Sequence, residues 1–160
     1  MCSIYEITFE QRNLHKDYAG QKNHLTSMCK GEYIINIDAD ELPDNKLLKY
    51  LKRIIKANKG VELISVPRVN IVEGLTQRHI YKWGWFVNNE GWINWPDYQP
   101  RIFKNDPENI QYGNKLHESV KGAKTVVKIQ ANPIIALWHI KSVHKQAKNG
   151  WTKIRKKYHK

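Results

Sequence analysis

A short apolar run that ends in acid constrains this chain more than any other feature. Tyr33-Ile34-Ile35-Asn36-Ile37 suits a strand buried on both faces of a parallel sheet, because such strands read as nearly continuous hydrophobic runs. The chain then turns abruptly acidic at Asp38-Ala39-Asp40-Glu41. In open α/β sheets, ligands bind beyond the carboxyl ends of strands. Two carboxylates at i and i+2 in that position can converge on one hard divalent cation, Mg2+ or Mn2+, which keeps water or phosphate oxygens in the rest of its shell. The plain alternative is that these acids cap the loop and the next helix.

The flanks agree with an α/β layer structure. Ser3 to Phe9 alternates apolar and polar side chains, with Ile4, Ile7 and Phe9 apolar, and reads as a strand. Asp17 is placed to cap a helix running to about Lys30, with Tyr18, Leu25, Met28 and Cys29 on its buried face and Gly31 ending it. Beyond the acidic corner, Pro43 fits the first turn of a second helix. Leu47, Leu48, Leu51, Ile54 and Ile55 form its apolar stripe, and Gly60 closes it. Val61 to Val72 is extended, with a break expected at Pro67.

The second half has a different texture. Trp83, Trp85, Trp92 and Trp95, with Gly84 and Gly91, follow neither a helical nor a strand period, so residues 81–95 read as a loop-rich excursion. Shorter extended pieces are expected at Gln99–Phe103, Ser119–Lys121 and Thr125–Gln130. Residues 141–160 carry eight basic side chains from Lys141 to Lys160 and no acid. Val143, Ala147, Trp151, Ile154 and Tyr158 share one face there, the pattern of a basic amphipathic helix. The expected organisation is therefore a domain over 1–140 and a C-terminal helix over 141–160. That helix either docks on the domain or lies on an anionic membrane surface.

The formal charge of +12 favours anionic partners: nucleic acid, an acidic membrane surface or phosphorylated substrates. Cys2 and Cys29 provide neither a disulfide framework nor metal-site spacing, which points to a reducing, cytoplasmic setting, with peripheral attachment to a membrane compatible with the basic tail. The opening Met1 to Glu6 reads unlike a signal peptide. No apolar stretch approaches the roughly 20 residues that span a bilayer.

Several stretches together resemble a known family. Asp17-Tyr18-Ala19-Gly20-Gln21-Lys22-Asn23-His24 and Cys29-Lys30-Gly31-Glu32-Tyr33 through Glu41 resemble the central part of family-two glycosyltransferases of GT-A fold. In that family, a helix bearing a basic residue and Asn precedes a strand ending in Asp-Ala-Asp. Arg101-Ile102-Phe103-Lys104, followed by His117-Glu118-Ser119-Val120, is similar to the Arg-Leu-Phe and His-Glu segment of bacterial transferases that build lipopolysaccharide cores and related surface glycans. Ala136-Leu137-Trp138-His139 resembles the late apolar-then-His element of the same group. The resemblance extends over about residues 3–140.

It implies a GT-A-like, Rossmann-like mixed sheet with a loop-rich acceptor region. It also implies that the leading nucleotide-holding strands of the family are missing here, so that the sheet is N-terminally truncated; three explanations fit: the chain is a fragment, a second chain supplies the other half, or the protein is a degenerate relative that does no transfer. The implied reaction is inverting transfer from a nucleotide-diphosphate sugar to a glycan or glycolipid acceptor, with Mg2+ or Mn2+ at the leaving group. Carried over by position, Asp38 lies near the ribose or the metal, Asp40 ligates the metal, and His139 is a late metal ligand. Glu118 is the first candidate for the catalytic base and Asp97 the reserve. Lys22, Asn23, Arg101 and His117 join the substrate-binding set, and Trp92 and Trp95 offer stacking faces for sugar rings.

Structural alternatives stand beside these roles: His139 as a core histidine, Arg101 as the partner of a neighbouring acid, the tryptophans as core. Two other functions also compete, a nucleic-acid-binding module prompted by the charge and an inactive subunit of a transferase.

Overall fold

The longest strand, β3 (Leu63–Glu73), organises the sheet in the computed structural model, which describes residues 8–148. Along one edge it pairs antiparallel with β4 (Asp97–Lys104). Along the other it has two parallel partners in succession: Leu63–Ser65 beside β7 (Val126–Lys128), then Arg68–Glu73 beside β8 (Leu137–Ser142). Pro67 lies in the gap between these two, where neither parallel neighbour needs its missing N–H. The strand therefore runs through Pro67 instead of breaking there.

Two short strands finish the sheet. β1 (Tyr33–Ile35) pairs antiparallel with β4, and β2 (Leu42–Pro43) pairs antiparallel with β8. The order is β1-β4-β3-β8-β2, a mixed sheet of the GT-A-like kind. Two expectations change here. The Tyr33–Ile37 run is not the interior of a parallel sheet: β1 stops at Ile35 and its partner is antiparallel. Pro43 belongs to β2, and the next helix starts two residues later.

Helices cover both faces. α1 (Tyr18–Ser27) is capped by Asp17, whose carboxylate accepts the Gly20 amide at 2.9 Å. It ends at Ser27, short of Gly31. The side it turns inward is Ala19, Lys22 and Asn23, not the expected Tyr18 and Leu25, which are exposed. The reason is its neighbour, the ribbon of β5 (Gln111–Gly113) and β6 (Ser119–Lys121), whose backbone Asn23 grips. α2 (Asn45–Ala57) is capped by Asp44, and Leu51, Ile54 and Ile55 pack with fully buried Leu47, whereas Leu48 is exposed.

Strand alternation sorts the core between these layers. Ile34, Leu63, Phe103 and Tyr112 gather with Ala19 of α1, while Ile64, Val66, Ile102 and Leu137 gather with Leu47. Truncating Leu47 to alanine is expected to cost about 2–5 kcal/mol.

The tryptophan excursion contains one unexpected helix, α3 (Gln77–Trp83), and is otherwise irregular, with a bridge between Val87 and Ile93. Near the C-terminal end, Lys141 and Ser142 complete β8, and α4 (Val143–Lys148) follows. Most of the expected Ser3–Phe9 strand, and Trp151, Ile154 and Tyr158 of the expected tail helix, lie outside the described residues. Among the described residues, no helix is long and apolar enough to cross a membrane.

Candidate functional site

The acidic corner follows directly from the end of β1. The Asn36 amide donates to the Arg101 carbonyl at 2.9 Å, so the chain still tracks β4 as it leaves the strand. A tight turn then closes: the Glu41 amide donates to the Asp38 carbonyl at 2.9 Å. This turn sends its three acids to different partners.

Glu41 points inward and its side chain is fully buried. A buried carboxylate demands compensation. It receives Arg68 Nη1 at 2.8 Å and Arg101 Nη2 at 2.6 Å. Arg101 also reaches Asp38 Oδ2, and Lys22 Nζ lies 2.7 Å from Asp38 Oδ1. Burial opposes the charge of Asp38, but Lys22 and Arg101 outweigh it and hold its carboxyl below the usual value. Lys22 continues to Glu118 Oε1 at 2.8 Å, with its ammonium 5.1 Å from the ring centre of Tyr112. Glu118 sits just before β6, so the β5–β6 ribbon brings it to the corner.

Asp40 turns the other way. Its Oδ2 lies 3.3 Å from His139 Nε2 and 3.3 Å from Lys141 Nζ, both on β8. Burial works against its charge too, yet Lys141 and His139 keep its carboxyl below the ordinary value. His139 is held below its own usual value, first by burial and then by the positive charges of Lys141 and Arg68.

A polar line on β3 joins the two sides. Asp97 Oδ2 accepts from Arg68 Nε at 3.0 Å and Nη2 at 2.7 Å, and from Asn70 Nδ2 at 2.8 Å. Its Oδ1 accepts from Gln99 at 2.8 Å. Asn70 Oδ1 in turn meets His139 Nδ1 at 2.8 Å. A continuous chain of contacts thus runs from Glu118 through Lys22, Asp38, Arg101, Glu41, Arg68, Asp97, Asn70 and His139 to Asp40.

The structure therefore brings together Lys22, Asp38, Arg101 and Glu118 on one side, and Asp40, His139 and Asp97 on the other. Among the described residues, Asp38 and Asp40 do not share a partner. Among the described residues, no three His, Cys, Asp or Glu side chains gather as a metal cluster. Arg101 is the partner of neighbouring acids. Asn23 commits both ends of its amide to the Tyr112 backbone, at 2.9 and 2.7 Å. His117 is exposed, with a left-handed backbone φ of 56°. Trp92 and Trp95 are half-buried with ring centres 5.2 Å apart, and Trp92 also meets Trp138 edge-on.

Arg68, Asn70 and Lys141 are the members that sequence reasoning missed, and Glu41 was read only as part of the acidic corner. A signal for two of them was present: Arg68 and Asn70 are polar residues at i and i+2 inside an otherwise apolar strand, which places both on one face.

No curated protein matches the chain. Compared with protein families, it matches Glycosyl transferase family 2 over residues 5–117, a stretch that includes the acidic corner, Asp97 and Arg101 and ends just before Glu118. With that match over most of its length and a mixed sheet to agree, the chain belongs to glycosyl transferase family 2.

Proposed function

We propose that this domain moves a sugar from a nucleotide-diphosphate sugar to a hydroxyl of a glycan or glycolipid acceptor, with inversion and with the help of Mg2+ or Mn2+. The observation that carries the reading is the meeting of Asp40 and His139 beyond the end of β1. Their facing atoms are 3.3 Å apart. Two adjacent ligands at about 2.1 Å from an octahedral ion stand about 3 Å apart, so one oxygen and one nitrogen at this spacing suit such an ion. A hard cation commonly takes only one or two protein ligands and completes its shell with water and substrate phosphate. When bound, it supplies positive charge against the departing diphosphate.

The rest falls to side chains of this chain. Glu118 accepts the proton of the acceptor hydroxyl as its oxygen attacks the anomeric carbon. The carbon–oxygen bond to the diphosphate breaks, and the diphosphate leaves with the electron pair. Lys22 holds Glu118 against the corner and ties it to Asp38, which lies toward the ribose. Lys141 adds charge for the diphosphate beside Asp40. Trp92 and Trp95 offer their faces to the acceptor. Asp97, with both oxygens occupied by Arg68, Asn70 and Gln99, is an anchor in this reading, and Glu118 is the base.

The test is hydrolysis or transfer of nucleotide sugars with Mn2+ or Mg2+, comparing the wild type with Asp40→Ala. Loss of turnover in the variant is expected. Equal activity would overturn the metal assignment, and calorimetry that detects no nucleoside diphosphate binding would overturn the transferase reading.

A further inference from the structure

The amide of Asn70 bridges two groups of opposite demand. On one side lies the Asp97 carboxylate, which in its ionised form can only accept. Asn70 must therefore turn its NH2 toward Asp97, and the same orientation leaves its carbonyl oxygen facing His139 Nδ1 at 2.8 Å. An oxygen there can only accept, so Nδ1 must carry the proton. In the neutral ring, Nε2 is then a bare lone pair, and it faces the Asp40 carboxylate at 3.3 Å. Two acceptors turned toward each other favour positive charge beside them: the Lys141 ammonium lies 3.3 Å from the same Asp40 oxygen, and a bound cation would supply more.

Asp97 is itself immobilised. Arg68 grips Oδ2 through two nitrogens, and Gln99 holds Oδ1. Asn70 is fixed from a second direction, because its backbone carbonyl accepts the Ile93 amide at 2.9 Å, which anchors the tryptophan loop. The side chain has little freedom to flip.

We propose that Asn70, locked by Asp97, is the positioning residue that holds His139 as its Nδ1–H tautomer and aims the Nε2 lone pair at Asp40. Hydrogen-bonded partners of metal-ligating histidines set tautomer and ring direction in this way. The consequence for metal affinity rests on the ion placement proposed above, whereas the tautomer does not.

Nitrogen-15 long-range correlation NMR of the metal-free protein near neutral pH reads the tautomer directly. The wild type is expected to show a pyrrole-type Nδ1 and a pyridine-type Nε2 for His139. In Asn70→Ala the ring shifts toward the Nε2–H form. Mn2+ titration followed by electron paramagnetic resonance is expected to show affinity falling roughly 10- to 100-fold in Asn70→Ala. An Nε2–H tautomer in the wild type overturns the proposal without needing any variant. An unchanged Nδ1–H tautomer in folded Asn70→Ala overturns it as well. The expected tautomers with no Mn2+ bound by the wild type support the positioning role and overturn the metal placement instead.

Discussion

His139 Nε2 stands 3.3 Å from Asp40 Oδ2, across a sequence separation of 99 residues. The contact exists because β2 pairs with β8: Leu42 faces Trp138 and Pro43 faces Leu137, which lays the acidic turn against the residue after Trp138. If this pair holds the ion, Asp40→Ala and His139→Ala each lose measurable Mn2+ binding by calorimetry. Turnover of a nucleotide sugar falls roughly 100-fold or more in each, matching the several kcal/mol of leaving-group stabilisation that a metal provides. Chelation of the wild type produces the same loss, reversed by added Mn2+.

Glu118→Gln removes the proposed base while keeping the shape of the side chain. We expect kcat for transfer to drop by about 100- to 10,000-fold, the usual contribution of general base catalysis. Affinity for the nucleoside diphosphate, measured by calorimetry, stays within a few-fold of the wild type. An unchanged kcat would return the base assignment to another carboxylate.

Arg101→Met tests the buried charge at the heart of the corner. Among the described residues, Glu41, whose side chain is fully buried, would keep Arg68 and the Asp38 amide, while the Asp38 carboxylate would keep Lys22. Removing one partner of a buried ion pair typically costs about 3–5 kcal/mol. Urea unfolding is expected to show a loss of this order, with the slope of the transition unchanged.

Tyr112 provides a pH-dependent prediction. Burial, assisted by the negative charges of Asp38 and Glu118, pushes its phenol well above the ordinary value. A raised folded-state value stabilises the protein fully below the unfolded phenol's titration near about 10. That contribution is lost as pH climbs above it, because the unfolded chain releases the proton first. Tyr112→Phe should therefore flatten the decline of the urea midpoint between neutral and alkaline pH. At neutral pH the variant is expected to be equal in stability or up to about 1 kcal/mol more stable, since the buried hydroxyl has no hydrogen-bond partner among the described residues.

What the sequence determined by itself is the local part of this structure. The Asp17 cap, the Leu47–Ile55 stripe of α2 and the extended run of β3, apart from the break expected at Pro67, each depend on a period or a cap within a few residues and were legible. So was the acidic corner, since an apolar run that turns to acid marks a strand end whatever the strand pairs with. Tertiary structure alone decided the partners. Whether β1 lies in a parallel or an antiparallel setting depends on β4, more than sixty positions away. The inward face of α1 depends on the β5–β6 ribbon, which made Lys22 and Asn23 the buried side in place of Tyr18 and Leu25. The division of the acidic corner, Asp38 to Lys22 and Arg101, Asp40 to His139, and Glu41 to two arginines, has no local period at all. Charges find partners by distance and burial after the sheet has closed, and only the closed sheet brings β1, β3, β4 and β8 to a common end.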